Sequence, residues 1–156
     1  MRILMVCLGN ICRSPLAEGI LKDKVKKASL GWEVDSAGIG DWHTGELPDQ
    51  RSISTARQHN IDITDQRARQ IRKEDLHSFD LILAMDDSNL RQIQLLAKQV
   101  QNPTAQIEMI LNYSSPGKNH SVPDPYYGGM DGFEKVFKML DEATDRILEQ
   151  ELSYKL

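Results

Sequence analysis

Arg2-Ile3-Leu4-Met5-Val6-Cys7-Leu8-Gly9-Asn10-Ile11-Cys12-Arg13-Ser14-Pro15 is the stretch that decides the fold. Its first half is a short apolar run ending at Gly9, the pattern of a buried strand. Its second half opens a helix, because Ser14 is a good N-cap residue and Pro15 suits the first helical position. Leu16, Ile20, Leu21 and Val25 continue that helix at helical spacing.

The same alternation runs outward along the chain. Residues 32–36 are a second strand candidate, closed by Ala37-Gly38. Residues 49–59 read as an amphipathic helix with Ile53 and Ala56 on one side. Residues 81–85 form another apolar strand, and Asp87-Ser88-Asn89 offers a cap for a helix from Leu90 to about Lys98. Residues 106–111 read as a fourth strand. Residues 133–152 give the longest helix, with Phe133, Val136, Phe137, Leu140, Ile147 and Leu148 on a core-facing stripe. Apolar strands alternating with helices predict an α/β three-layer sandwich: a four-stranded parallel sheet with about five flanking helices. Residues 1–156 are expected to form a single domain, a length that builds a core without staples. Only 112–131 departs from the pattern, as a long connection rich in Pro, Gly, Ser and Tyr. Loops of that length are functional or disordered.

Composition narrows the function. The opening apolar run is too short for a signal peptide, and no run reaches the ~20 residues that span a membrane. Two cysteines in 156 residues make no disulfide framework. The expectation is a cytoplasmic protein with no membrane partner. A formal net charge of −4 argues against nucleic acid. Lys22, Lys24, Lys26 and Lys27 read as the solvated end of a helix.

Cys7 and Arg13, six positions apart between a strand and a helix, form a cradle for phosphate. Gly9 and Asn10 tolerate positive φ, so the backbone can curl and aim successive N–H groups inward. The helix start adds its positive dipole end. Arg13 grips two phosphate oxygens with its planar fork. Such a cradle favours a nucleophilic thiolate at Cys7, with Ser14 placed to donate a hydrogen bond to it. The loop is not a nucleotide-binding phosphate loop, because the Gly-Lys-Ser/Thr ending is missing. Expulsion of a leaving group also needs an acid. Asp124, in Val122-Pro123-Asp124-Pro125-Tyr126-Tyr127, is held extended by a proline on each side. Tyr126 and Tyr127 beside it are poor core candidates and can wall a slot for a phenyl ring.

These residues carry a resemblance. The chain resembles the low-molecular-weight protein tyrosine phosphatase family along nearly its whole length: through Cys7 to Pro15, Asp35-Ser36-Ala37-Gly38, Asp41-Trp42, Ala68-Arg69-Gln70, Phe79-Asp80 with Met85-Asp86, and Asp124-Pro125-Tyr126-Tyr127. The resemblance implies a phosphocysteine intermediate on Cys7, phosphate binding by Arg13 and acid catalysis by Asp124, with no metal and no cofactor. The phosphate loop would be Leu8, Gly9, Asn10, Ile11, Cys12 and Ser14. Asn10, Ser14, Ser36 and Asp86 would form the supporting hydrogen-bond network, and Leu8 and Trp42 would line the slot with Tyr126 and Tyr127. Partners would be phosphotyrosine-containing proteins, with inorganic phosphate as product and the enzyme a monomer. One departure is visible: the family often has His where this chain has Gln66. The histidines at 43, 59, 77 and 120 receive no catalytic role.

Three rivals follow. An arsenate reductase of this fold needs a redox pair further along the chain, and nothing after Cys12 supplies it. An arginine phosphatase would, by the resemblance, carry Thr at Ile11. A non-catalytic phosphate-binding module would need neither Cys7 nor Asp124. Cys12, five positions from Cys7, is also expected to act as a resolving thiol in a redox switch.

Overall fold

The computed structural model describes residues 1–153. Its elements in order are β1 (Arg2–Cys7), α1 (Arg13–Lys27), β2 (Glu33–Gly38), α2 (Gln50–Gln58), α3 (Asp75–Ser78), β3 (Leu81–Ala84), α4 (Asp87–Lys98), β4 (Gln106–Met109) and α5 (Met130–Ser153). The strands form one parallel sheet in the order β2-β1-β3-β4. Side chains on a strand alternate between faces, so each strand feeds two cores. Ile3, Met5, Leu81 and Leu83 join the cluster that takes Leu16, Ile20, Val136, Phe137 and Leu140 from α1 and α5. Leu4, Val6, Ile82 and Ala84 join the opposite cluster with Leu76, Ile93 and Met109. The result is the expected three-layer α/β sandwich.

The chain leaves β1 toward β2 on one side and reaches β3 on the other. In open α/β sheets, this reversal creates a crevice beyond the carboxyl ends of the central strands. Cys7 is the last residue of β1, so the cysteine loop opens into that crevice.

Several boundaries differ from the sequence reading. α1 begins at Arg13, with Cys12 at the N-cap and no side-chain cap. Ser14 lies inside the first turn, because its hydroxyl is committed to the loop rather than to the helix end. Asp86, not the 87–89 triplet, caps α4 by accepting from the Asn89 amide at 2.7 Å. β4 stops at Met109, and the rest of the predicted strand winds into a 3₁₀ turn, Ile110–Asn112. α3 is too short to produce a readable period. Lys24 is not simply solvated: its ammonium lies 2.8 Å from both Asp141 and Asp145 and pins α1 to α5. Among the described residues, no helix is long and apolar enough to cross a membrane.

Candidate active site

Parallel pairing of β1 with β2 sets Cys7 beside Gly38. That glycine is required by close approach. A Cβ on it would lie 3.0 Å from the Gly9 carbonyl carbon and the Leu8 oxygen, and 3.1 Å from the Asn10 nitrogen. The loop therefore rests directly on the backbone of β2. Asn10 turns it with a φ of 58°, a conformation that Asn adopts more readily than most residues.

The Asn10 side chain then orders the interior. Its Oδ1 accepts from the Arg69 amide at 3.0 Å, which leaves Nδ2 to donate to Ser14 Oγ at 2.8 Å and Ser36 Oγ at 2.9 Å. With its oxygen accepting from Asn10, the Ser14 hydroxyl is free to donate to the Cys7 sulfur, 3.0 Å away. Ser36 donates onward to Glu18 Oε1 at 2.6 Å, and Lys22 donates to the other Glu18 oxygen at 2.5 Å. Burial pushes the Glu18 carboxyl above its usual value, while Lys22 and Ser36 pull it down. Each member of this chain of bonds fixes the donor sense of the next.

Asp86 stands apart from that group. It accepts from Arg13 Nη1 at 2.7 Å, and the same nitrogen donates to the Val122 carbonyl at 3.0 Å. Both Nη1 hydrogens are thus used, and the Nε–Nη2 edge of the guanidinium is the fork that remains. The far side of the loop is held by α2 and its cap: the Asp49 amide donates to the Ile11 carbonyl at 2.8 Å, and Ser52 Oγ donates to the Cys12 carbonyl at 3.2 Å. The Cys12 thiol is pushed up to about 12 by burial, with Asp49 and Cys7 adding to the effect.

A cavity of about 230 Å³ lies over the loop, lined by Cys7, Leu8, Gly9, Ile11, Cys12, Arg13, Trp42, His43, Asp124, Tyr126 and Tyr127. Cys7, Arg13 and Asp124 therefore meet in one space although Asp124 is far away in sequence. Asp124 Oδ2 lies 3.8 Å from Arg13 Nη2, and its Oδ1 accepts from the Tyr126 amide at 3.0 Å. Asn10 and Ser14 do not line the cavity; they are buried behind it. Trp42 is 67% exposed, so it is a rim residue rather than a core one. Its ring folds over Gly40, where any Cβ would collide with it.

Three residues of the site escaped the sequence reading. His43 lines the cavity, packs against Gly9 and bonds to Glu46; its place directly after Trp42 was the available signal. Glu18 and Lys22 extend the Ser36 bond, and their four-residue spacing on one helix was a readable sign of a pair. Gln66 does not take up the Glu18 bond. It is buried, its Nε2 donates to the Pro15 carbonyl at 3.0 Å, and its Oε1 has no partner among the described residues.

Sheet and loop together define an α/β protein with a cavity lined by Cys7 and Arg13 at the carboxyl edge of a parallel sheet. Comparison with known proteins supplies the family. The model of the low molecular weight phosphotyrosine protein phosphatases matches residues 2–155. The chain belongs to that family and is a protein-tyrosine phosphatase by kinship. It is 43% identical over 150 residues to the low molecular weight phosphotyrosine protein phosphatase of Sus scrofa, covering 95% of this chain and 94% of that one. It is 41% identical over 150 residues to the protein of the same description from Schizosaccharomyces pombe, covering 94% of each. Among solved structures, a drosophila arginine phosphatase superposes with a TM-score of 0.92 at 37% identity, covering 97% of this chain and 98% of that one.

Proposed function

We propose that this chain hydrolyses phosphotyrosine in proteins through a phosphocysteine on Cys7. The observation that carries the reading is the single cavity in which Cys7, Arg13 and Asp124 meet a rim of Trp42, Tyr126 and Tyr127. The phosphoryl group sits in the loop, its oxygens held by the loop N–H groups, the first turn of α1 and the Nε–Nη2 edge of Arg13. The Cys7 thiolate attacks phosphorus, forming the S–P bond as the P–O bond to tyrosine breaks. Asp124, protonated, gives its proton to the departing oxygen. Asp124 then takes a proton from water, which attacks phosphorus, releases phosphate and restores the thiolate. The buried Ser14 hydroxyl stabilises the sulfur as leaving group in this second step.

The arginine phosphatase among the solved structures makes phosphoarginine the main rival substrate. Ile11 lines the cavity of this chain, and a branched apolar side chain suits a phenyl ring better than a guanidinium. The deciding experiment compares kcat/KM for matched peptides carrying phosphotyrosine, phosphoserine and phosphoarginine. Phosphotyrosine is expected to lead, because phosphoserine is too short to reach the thiolate past the aromatic rim. A lead for phosphoarginine would replace this reading with the rival.

The proposal extends to a redox switch in a cytoplasmic, monomeric, single-domain enzyme. Peroxide oxidises the Cys7 thiolate to a sulfenic acid, and Cys12 condenses with it to a disulfide, releasing water. A dithiol reductant returns both thiols. Cys12→Ser is expected to make peroxide inactivation largely irreversible, and full recovery in that variant would remove Cys12 from the switch.

A further inference from the structure

The segment that carries Asp124 is tied to the rest of the fold at few points. The Val122 amide donates to the Met85 carbonyl at 2.7 Å, just ahead of the aspartate. Beyond it, the Tyr126 and Gly128 amides bond back within the segment, to Asp124 and to the Pro125 carbonyl. Two hydrogen bonds join 124–129 to other elements among the described residues: the Gly132 amide of α5 donates to the Gly129 carbonyl at 3.1 Å, and Arg51 Nη1 of α2 donates to the Gly128 carbonyl at 3.0 Å, the one that reaches back toward the phosphate loop. The same guanidinium lies over two rings, 5.5 Å from the centre of Tyr126 and 4.6 Å from that of Phe133 in the first turn of α5. One side chain thus contacts the backbone and a ring of the acid loop, and the helix that follows it.

The other edge of Arg51 faces the phosphate loop. Nε and Nη2 each lie 3.0 Å from a different oxygen of Asp49, which is bidentate pairing. Asp49 also caps α2 by accepting from the Arg51 amide, and its own amide holds the Ile11 carbonyl. Burial opposes ionisation of Asp49, yet the bonds from Arg51 hold its carboxyl below the usual value. A continuous path therefore runs from Ile11 through Asp49 and Arg51 to Gly128 and Tyr126. It crosses the site beside the cavity without lining it with either Asp49 or Arg51.

We propose that Arg51 is a positioning residue for the leaving-group acid, locking the Asp124 loop to the phosphate loop through Asp49. The inference rests on reading Asp124 as the acid. Arg51 does not touch the phosphate. It holds the backbone on which Asp124 and Tyr126 sit, so that the carboxyl meets the leaving oxygen when the phosphoryl group is in the cradle. A misplaced acid penalises poor leaving groups first, because those need the proton most.

The test is single-turnover release of phenol and of para-nitrophenol from their phosphate esters by wild type, Arg51→Met, Arg51→Lys, Asp124→Asn and the Arg51→Met/Asp124→Asn double variant. Hydrogen exchange of 124–129 is followed in each folded protein. Arg51→Met is expected to slow phenol release about 10-fold more than nitrophenol release, with faster exchange confined to 124–129. Arg51→Lys keeps the charge but loses the planar fork, so it is expected to restore little. In the double variant the extra phenol penalty of Arg51→Met is expected to vanish, since the proton donor is gone. If Asp124→Asn discriminates between the esters and Arg51→Met slows both equally, the positioning role is overturned. If Asp124→Asn fails to discriminate, the acid assignment falls; unchanged exchange at 124–129 in Arg51→Met then overturns the tie itself, and faster exchange upholds it.

Discussion

The two halves of the site are built on opposite plans. In the phosphate loop Asn10, Arg13 and Ser14 are almost wholly buried, and each is held by two or more bonds to other elements or to the loop interior. In the acid loop Tyr127 is 94% exposed, and Asp124 and Tyr126 are both open to solvent. A site for a highly charged group gains most from donors that need no rearrangement when the charge arrives. A site for the leaving group must admit a ring and release it, which suits an exposed loop on a rigid support. Rigidity here follows the charge each half is proposed to meet: the buried polar contacts gather around the loop of Cys7 and Arg13.

The comparison is broken most severely at Cys7. Cys7→Ser is expected to cut turnover on the order of 10⁶-fold, the scale seen when a covalent nucleophile is removed. Binding of inorganic phosphate, measured by calorimetry, should persist, because the rest of the cradle is untouched. Retained turnover would show that the rigid half binds but does not react.

Asp124→Asn attacks the open half. It is expected to slow single-turnover release of tyrosine by roughly 10²–10⁴-fold and of nitrophenol by less, since tyrosine leaves with a pKa of about 10. Phosphate affinity should change little. Equal losses for the two leaving groups would mean that Asp124 positions or binds, and Asp86 would be the next acid to test.

Asn10→Ala probes why the rigid half is rigid. The change leaves the Arg69 amide without this acceptor, removes the donor to the Ser14 and Ser36 hydroxyls, and places Ala at a positive φ. A stability loss of about 1–3 kcal/mol in urea unfolding is expected, with a matching fall in Cys7 alkylation selectivity. Unchanged stability would show that the buried network is passive.

The smallest effect concerns Cys12. Burial holds its thiol protonated up to about 12, above the ordinary 9.0. The native state therefore binds the proton more tightly than the unfolded chain. The stabilisation is complete below pH 9.0 and lost as pH rises towards about 12. At neutral pH iodoacetamide should label Cys7 and spare Cys12, as read by peptide mass spectrometry. Rapid labelling of Cys12 near neutrality would contradict the burial argument.

Much of this was legible because the phosphate loop is continuous in sequence. Strand, loop and helix follow one another in residues 2–27, so residue order and spacing carry both fold and chemistry. Asp124 was reachable only through its flanking prolines and tyrosines. The misplaced polar residues share one physical cause: a tertiary partner claims a side chain whose local preference points elsewhere. Ser14 has a cap's chemistry but serves Cys7. Asp86 caps α4 while it also holds Arg13, and no direct bond joins it to Asn10, Ser14 or Ser36 among the described residues. Glu18 accepts from Ser36, a residue 18 positions away on β2 that no local pattern pairs with it. Neither helical period nor capping preference encodes which strand end will lie under a given helix turn.

The central claim is that the rigid half reacts as well as binds, and rapid quench with a ³²P-labelled phosphotyrosine peptide tests it directly. The account predicts a stoichiometric burst of tyrosine peptide, with the label recovered on Cys7 through an S–P bond and discharged as inorganic phosphate. Full turnover with no burst, or with the label on any residue other than Cys7, would contradict it.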